Sequence, residues 1–321
     1  MRRGRRVRLP RRVISADWSV SPKKRWAARA ELQADRRYVV GAPKTITPSD
    51  ILAAASEPST LVGFDFPIGL PTAYARLARV RSFTELLPLL GTGAWSSFFE
   101  VARTTSEVSL HRPFYPHAPG GKKREHLVDA LGLQQADDLY RACDVASGRR
   151  ACPMFWTLGG NQVGKGALTG WKEVVVPALA TGSVDLWPFD GSFEDLLAAG
   201  RTVFVETYPA DTYAYVGATL PRTPDGQGKR ARSSRMACAD AVIKRAAAAE
   251  LELATDLLSQ LRDGFGDRSD GEDRFDAVMG LLGMLAVLRG ERPVGVPDDR
   301  RVHRVEGWIL GRTAAAATAI T

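Results

Sequence analysis

Three runs of strand length in this chain, 13–20 (VISADWSV), 61–71 (LVGFDFPIGLP) and 201–209 (RTVFVETYP), are largely apolar, yet each carries one acidic side chain: Asp17, Asp65 and Glu206. The second and third run into proline, which cannot continue a hydrogen-bonded ladder. An ionised carboxylate is costly to bury unless it is paired or holds a metal. If the runs are neighbouring strands of one sheet, their carboxylates converge and would share a cation.

The remaining punctuation places these runs in a mixed sheet. After the first strand, 25–32 alternates as a second, and 37–40 forms a third before the turn Gly41-Ala42-Pro43. Thr47 is an expected helix cap with Pro48 at the first helical position, leading through 51–55 to the strand at 61. Three strands, a helix and a fourth strand make the helix a crossover that brings the fourth strand parallel to the first. From 72 to 200 the pattern turns helical and irregular, with candidate helices at 72–80, 83–90, 125–146 and 171–180 and a long loop rich in Pro, Gly and His at 104–123. This stretch is expected to be an insertion shaping a substrate site. A helical stretch at 232–262 and an acidic loop at 263–272 precede Asp273 and Asp276, whose spacing puts both on one face of a helix. Gly280 and Gly283 farther along imply close approach of that helix to a sheet.

The expected fold class is therefore α/β: a mixed five-stranded sheet flanked by helices, with a large helical insertion. Its divisions are a basic disordered tail at 1–12, a first half of the core at 13–71, the insertion at 72–200, a second half at 201–312 and a frayed tail at 313–321. At 321 residues, 45% apolar and 25% charged, the chain has a globular composition. No run approaches the roughly 18 apolar residues of a membrane span. Three cysteines without C-x-x-C spacing argue against a zinc or disulfide framework and for a reducing cytoplasm. The net charge of +8 resides in the tail, where seven of the first twelve residues are arginine, leaving 37 basic against 36 acidic residues in the body.

Asp17, Asp65, Glu206, Asp273 and Asp276 form a set of hard oxygen ligands suited to Mg²⁺ or Mn²⁺, as in two-metal phosphodiester hydrolysis. Taken singly, each is better explained by a helix cap or a salt bridge to an arginine; together, in this order of elements, they favour the metal site. Lys165, Lys229 and Arg235 are candidate contacts to substrate phosphate. Lys165 closes Gly159-Gly160-Asn161-Gln162-Val163-Gly164-Lys165, the pattern of a phosphate-binding loop, but Gly166 replaces its Ser or Thr. Trp156, Trp171 and Trp187 are candidates for base stacking or for core packing.

The order of elements, with Asp17 on the first strand, Asp65 on the fourth and an Asp pair on a late helix, resembles the RNase H-like superfamily and its RuvC resolvase branch. More closely, 63–71 (GFDFPIGLP), 205–209 (VETYP), 273–277 (DRFDA) and 306–309 (EGWI) resemble the signatures of the domain-of-unknown-function 429 family of predicted RNase H-like nucleases. The resemblance implies that Asp17, Asp65 and Asp276 are metal-binding acids. Asp273 falls one turn earlier, where the superfamily places Asp or His, and Glu206 matches the family's strand-end Glu. A metal-dependent nuclease acting on nucleic acid is thus expected, with no membrane partner. The alternatives are a non-catalytic binding module of the same fold, or a small-molecule phosphohydrolase using the loop that ends at Lys165.

Overall fold

An apolar stretch such as Val13, Ile14 and Ala16 is stable as a strand only where both faces of the sheet are covered. The computed structural model describes residues 8–146, 152–158 and 163–314. Its strands, in chain order, are β1 (Arg12–Asp17), β2 (Trp26–Leu32), β3 (Tyr38–Val40), β4 (Lys44–Thr45), β5 (Thr60–Phe64), β6 (Val184–Leu186), β7 (Thr202–Glu206) and β8 (Glu252–Leu253). The chain forms two units, Met1–Asp65 with Phe193–Pro293, and Phe66–Ser192 with Val294–Thr321.

The first unit holds every described strand except β6, in the order β7-β5-β1-β2-β3-β8 with β4 beside β2. β1 is antiparallel to β2 and parallel to β5, and β7 is parallel to β5. The expected crossover is present as the helix Pro48–Ala55. Its capping box is complete: Asp50 N–H donates to Thr47 Oγ1 at 3.2 Å, and Thr47 N–H to Asp50 Oδ2 at 2.9 Å. The short β4 and β8 are additions to the five strands expected. The helix Gly271–Leu288 packs on the sheet through missing side chains. A Cβ at Gly280 would stand 2.3 Å from Ser15 Oγ, and one at Gly63 would stand 2.6 Å from Met284 Sδ. The face of β1 and β5 that carries Ser15 and Gly63 is therefore the face that meets this helix.

The stretch 232–262 is not one helix. It divides into Arg232–Ala237, Ala239–Ala248, β8 and Thr255–Arg262, with Glu250 at φ 52 and Leu251 N–H bonded back to Ala246 O at 2.9 Å. The basic tail is also shorter than expected. Residues 1–7 lie outside the described residues, but the Tyr38 hydroxyl bonds Pro10 O at 2.7 Å, and Arg12 pairs with Glu31 at 2.7 Å and Glu57 at 2.9 Å. Residues 315–321 of the expected frayed tail are likewise outside the described residues.

In the second unit the helix expected over 125–146 stops at Leu131, because Gly132 turns to φ 70; Ala142–Val145 follows separately. The segment from Val163 runs as helix Val163–Gly170, a π-helical turn Trp171–Val175 and helix Val176–Ala180. Trp171 and Trp187 are fully buried and Trp156 nearly so, which decides for core packing. The C-terminal segment belongs to this unit, not to the second half of the core. Glu306 is the physical reason: its Oε1 accepts from Thr72 N–H at 3.2 Å and its Oε2 from Ala142 N–H at 2.8 Å, joining the first residues of two helices. Gly307, at φ 68, brings its Cα so near the Ile68 carbonyl that a Cβ would lie 2.1 Å from that oxygen. Among the described residues no helix is long and apolar enough to cross a membrane.

Candidate functional site

Register decides which acids meet. Ala16 pairs with Phe64, and Asp65 N–H bonds Ala16 O at 3.3 Å, so Asp17 and Asp65 leave the carboxyl ends of adjacent parallel strands side by side. Side chains alternate along a strand, so Asp17 shares a face with Ser15, and Asp65 with Gly63. That is the face covered by the helix Gly271–Leu288, which delivers Asp276 and, one turn earlier, Asp273. Asp17 and Asp65 carboxyls are hydrogen-bonded to each other, Asp276 lies within Coulombic reach of both, and Asp273 within reach of Asp17. Asp65 Oδ1 also accepts from Trp18 N–H at 2.7 Å.

Glu206 does not join them by the same rule. It is in register with Phe64, whose ring meets Phe204 at 5.1 Å, so Glu206 leaves β7 on the opposite face of the sheet. Its neighbour Thr207 is on the acid face, with its Cγ2 2.5 Å from where a Gly63 Cβ would be. The expected role of Glu206 in the cluster is therefore corrected by strand parity.

The cluster is electrostatically loaded. Burial, then repulsion from Asp65 and Asp276, pushes Asp17 well above the usual carboxylate range. Burial raises Asp65 to about 6, against the opposing help of the Trp18 N–H and the Asp17 carboxyl. Asp273 also rises to about 6, through burial. Asp276 is raised by burial and partly relieved by Lys229, whose ammonium contacts Oδ2, and by the Tyr213 hydroxyl, which donates to Oδ1. Two carboxyls sharing a proton is what such a site does when no cation offsets the charge. Asp273 Oδ2 and Thr207 Oγ1 are buried without a hydrogen-bond partner. Hard oxygens, an orphaned carboxylate oxygen and excess negative charge together fit Mg²⁺ or Mn²⁺.

The three expected phosphate contacts separate. Lys229, on the turn Gly228–Arg230, belongs to the acid cluster. Arg235 is not a phosphate contact: it is 2% exposed, and its guanidinium donates to the carbonyls of Gly264 at 2.7 Å, Lys229 at 2.5 Å, Arg230 at 3.1 Å and Gly266 at 3.0 Å. Lys165 lies in the first turns of helix Val163–Gly170 in the second unit. Gly159 to Gln162 of the phosphate-loop pattern lie outside the described residues. The next glycine has a packing reason, since a Cβ at Gly164 would stand 2.4 Å from Met154 O and 2.8 Å from Trp156 O. Two members of the site had no signal strong enough to single them out. Tyr213 ends the short helix Ala210–Tyr213 just after Pro209, and Lys24, exposed on the turn between β1 and β2, lowers the Asp273 pKa against burial.

No protein-family model, no curated protein and no solved structure matches the chain.

Proposed function

We propose that this chain is a divalent-metal-dependent phosphodiesterase acting on nucleic acid, built on an RNase H-like core. The observation that carries the reading is the meeting of Asp17, Asp65 and Asp276 at the carboxyl ends of adjacent parallel strands under one helix. The strand order β3-β2-β1-β5-β7, with only β2 antiparallel to its neighbours, supports the finer assignment of the core. Asp17, Asp65 and Asp276 would hold Mg²⁺ or Mn²⁺, with Asp273 completing the shell or orienting water through its unpartnered Oδ2. The bound cation would supply Lewis acidity at the phosphoryl group and a water of lowered pKa.

The chain's own residues prepare for this in three ways. The Trp18 N–H fixes Asp65 Oδ1, and the Asp17 carboxyl bonds the same side chain. The Tyr213 hydroxyl orients Asp276. Lys24 on one turn and Lys229 on another supply positive charge beside the acids, where phosphates of a strand would lie.

The test is calorimetric titration with Mn²⁺ beside a cleavage panel of single-stranded, duplex, hybrid and branched nucleic acids. Uptake of Mn²⁺ and cleavage that are both lost in Asp17→Asn and Asp65→Asn are expected. Absence of metal uptake, or cleavage unchanged in those variants, would remove the proposal.

A further inference from the structure

Both oxygens of Asp276 are engaged without any metal, Oδ1 by the Tyr213 hydroxyl and Oδ2 by the Lys229 ammonium. The two donors differ in freedom. Tyr213 is held in a helix with its ring against Phe275 at 5.7 Å. The backbone at Lys229 is also fixed, because the buried Arg235 binds the carbonyls of residues 229 and 230 and ties them to those of Gly264 and Gly266. The Lys229 side chain is the movable part: it remains 38% exposed, on a four-carbon stem with several rotamers.

We propose that Lys229 is a resident counter-cation: it occupies the place of the metal on Asp276 and, when the divalent ion enters, swings from that carboxylate to a phosphate of the substrate. The inference rests on the metal-centre reading above. Competition for one Asp276 oxygen motivates an exchange of this kind. Without metal, Asp17, Asp65, Asp273 and Asp276 face one another, and the ammonium offsets part of their repulsion. With a divalent ion on Asp276 Oδ2, the ammonium loses the oxygen it holds and stands beside a like charge. A lysine can make the transfer because it is a compact charge with rotatable donors and no planar fork to satisfy. Arg235 is a positioning residue here, holding the stem's origin so that only the ammonium moves.

The experiment is Mn²⁺ titration of the full chain and of Lys229→Met, with Lys229→Gln in its place should the methionine variant fail to fold. Removal of the competing ammonium is expected to tighten Mn²⁺ binding by about tenfold or more, the worth of one charge-assisted hydrogen bond. At saturating Mn²⁺ the variant is expected to bind dithymidine monophosphate more weakly than the unaltered chain. Equal or weaker Mn²⁺ binding by the variant overturns this inference and leaves the metal centre standing. No Mn²⁺ uptake by either protein overturns both. Unchanged dinucleotide affinity overturns the transfer to phosphate. The unaltered chain gives an independent readout through acylation by a succinimidyl ester, followed by peptide mass spectrometry. Labelling of Lys229 relative to the exposed Lys44 rises on adding Mn²⁺ if the ammonium is released, and stays low if it remains on Asp276.

Discussion

Replacing Asp65 by asparagine isolates the electrostatic load of the metal-free cluster. Burial lifts the Asp65 carboxyl from the ordinary 3.8 to about 6. Between those values the folded state holds a proton that the unfolded chain has released. The associated stability is therefore fully present below about pH 4 and is lost as pH rises through about 6. A gap of roughly 2 units corresponds to at most about 3 kcal/mol, less whatever solvent at the mouth of the site screens. Asparagine keeps an oxygen to accept from the Trp18 N–H and from the protonated Asp17 carboxyl, so it retains both contacts without a charge of its own. In urea unfolding with chelator present, the Asp65→Asn variant should be more stable than the unaltered chain at neutral pH by about 1–3 kcal/mol, with equal m values and a difference that vanishes near pH 4. Saturating Mn²⁺ should invert the order, because ligand at about a hundredfold its Kd adds about 2.7 kcal/mol to the protein that binds it. A difference independent of pH, or an unaltered chain that is the more stable without metal at neutral pH, would refute the reasoning.

Arg235→Met strips the donors from four carbonyls and should cost roughly 3 kcal/mol or more in urea unfolding, a loss that a solvent-facing phosphate contact would not produce. Glu306→Gln sets an amide donor against an existing one, Thr72 N–H or Ala142 N–H, and should lower stability by about 1–3 kcal/mol at neutral pH, read from the unfolding midpoint. Gly164→Ala forces a methyl onto two backbone oxygens and should destabilise by about 1–3 kcal/mol, whereas Lys165→Ala should stay within about 0.5 kcal/mol by the same measurement.

The core was legible where local chemistry and tertiary demand agree. The first strand, the crossover helix capped by Thr47 and the strand before Asp65 all fall where apolar runs, a capping box and prolines place them. The Gly280 signal also carried through, since the missing Cβ is what admits Ser15. The second unit was less legible because its order depends on contacts remote in sequence. Nothing near Glu306 announces that its carboxylate will serve the first residues of helices that begin at Thr72 and Ala142. Nor does the glycine pattern at 164 distinguish a phosphate cradle from a helix pressed against a carbonyl.

Two misreadings share one physical origin: residue type was visible, direction was not. Asp65 and Glu206 end similar apolar runs, but Phe64 pairs with Glu206 itself, so Asp65 is one residue beyond that pair and parity sends the two side chains to opposite faces. The basic residues from 229 to 235 are alike in composition and divide in the fold by what each head group can satisfy. Arg232 forms ion pairs with Asp263 and with Asp267, the latter at 2.9 Å. Arg235 spends its planar fork on fixed carbonyls, for which its geometry is suited and that of lysine is not. Lys229, a single charge on a movable stem, is the one that meets the acids. Exchanging the two would therefore damage both places: a lysine at 235 could not span the carbonyls of Gly264, Gly266 and the 229–230 turn, and an arginine at 229 would grip Asp276 through two parallel hydrogen bonds and resist release.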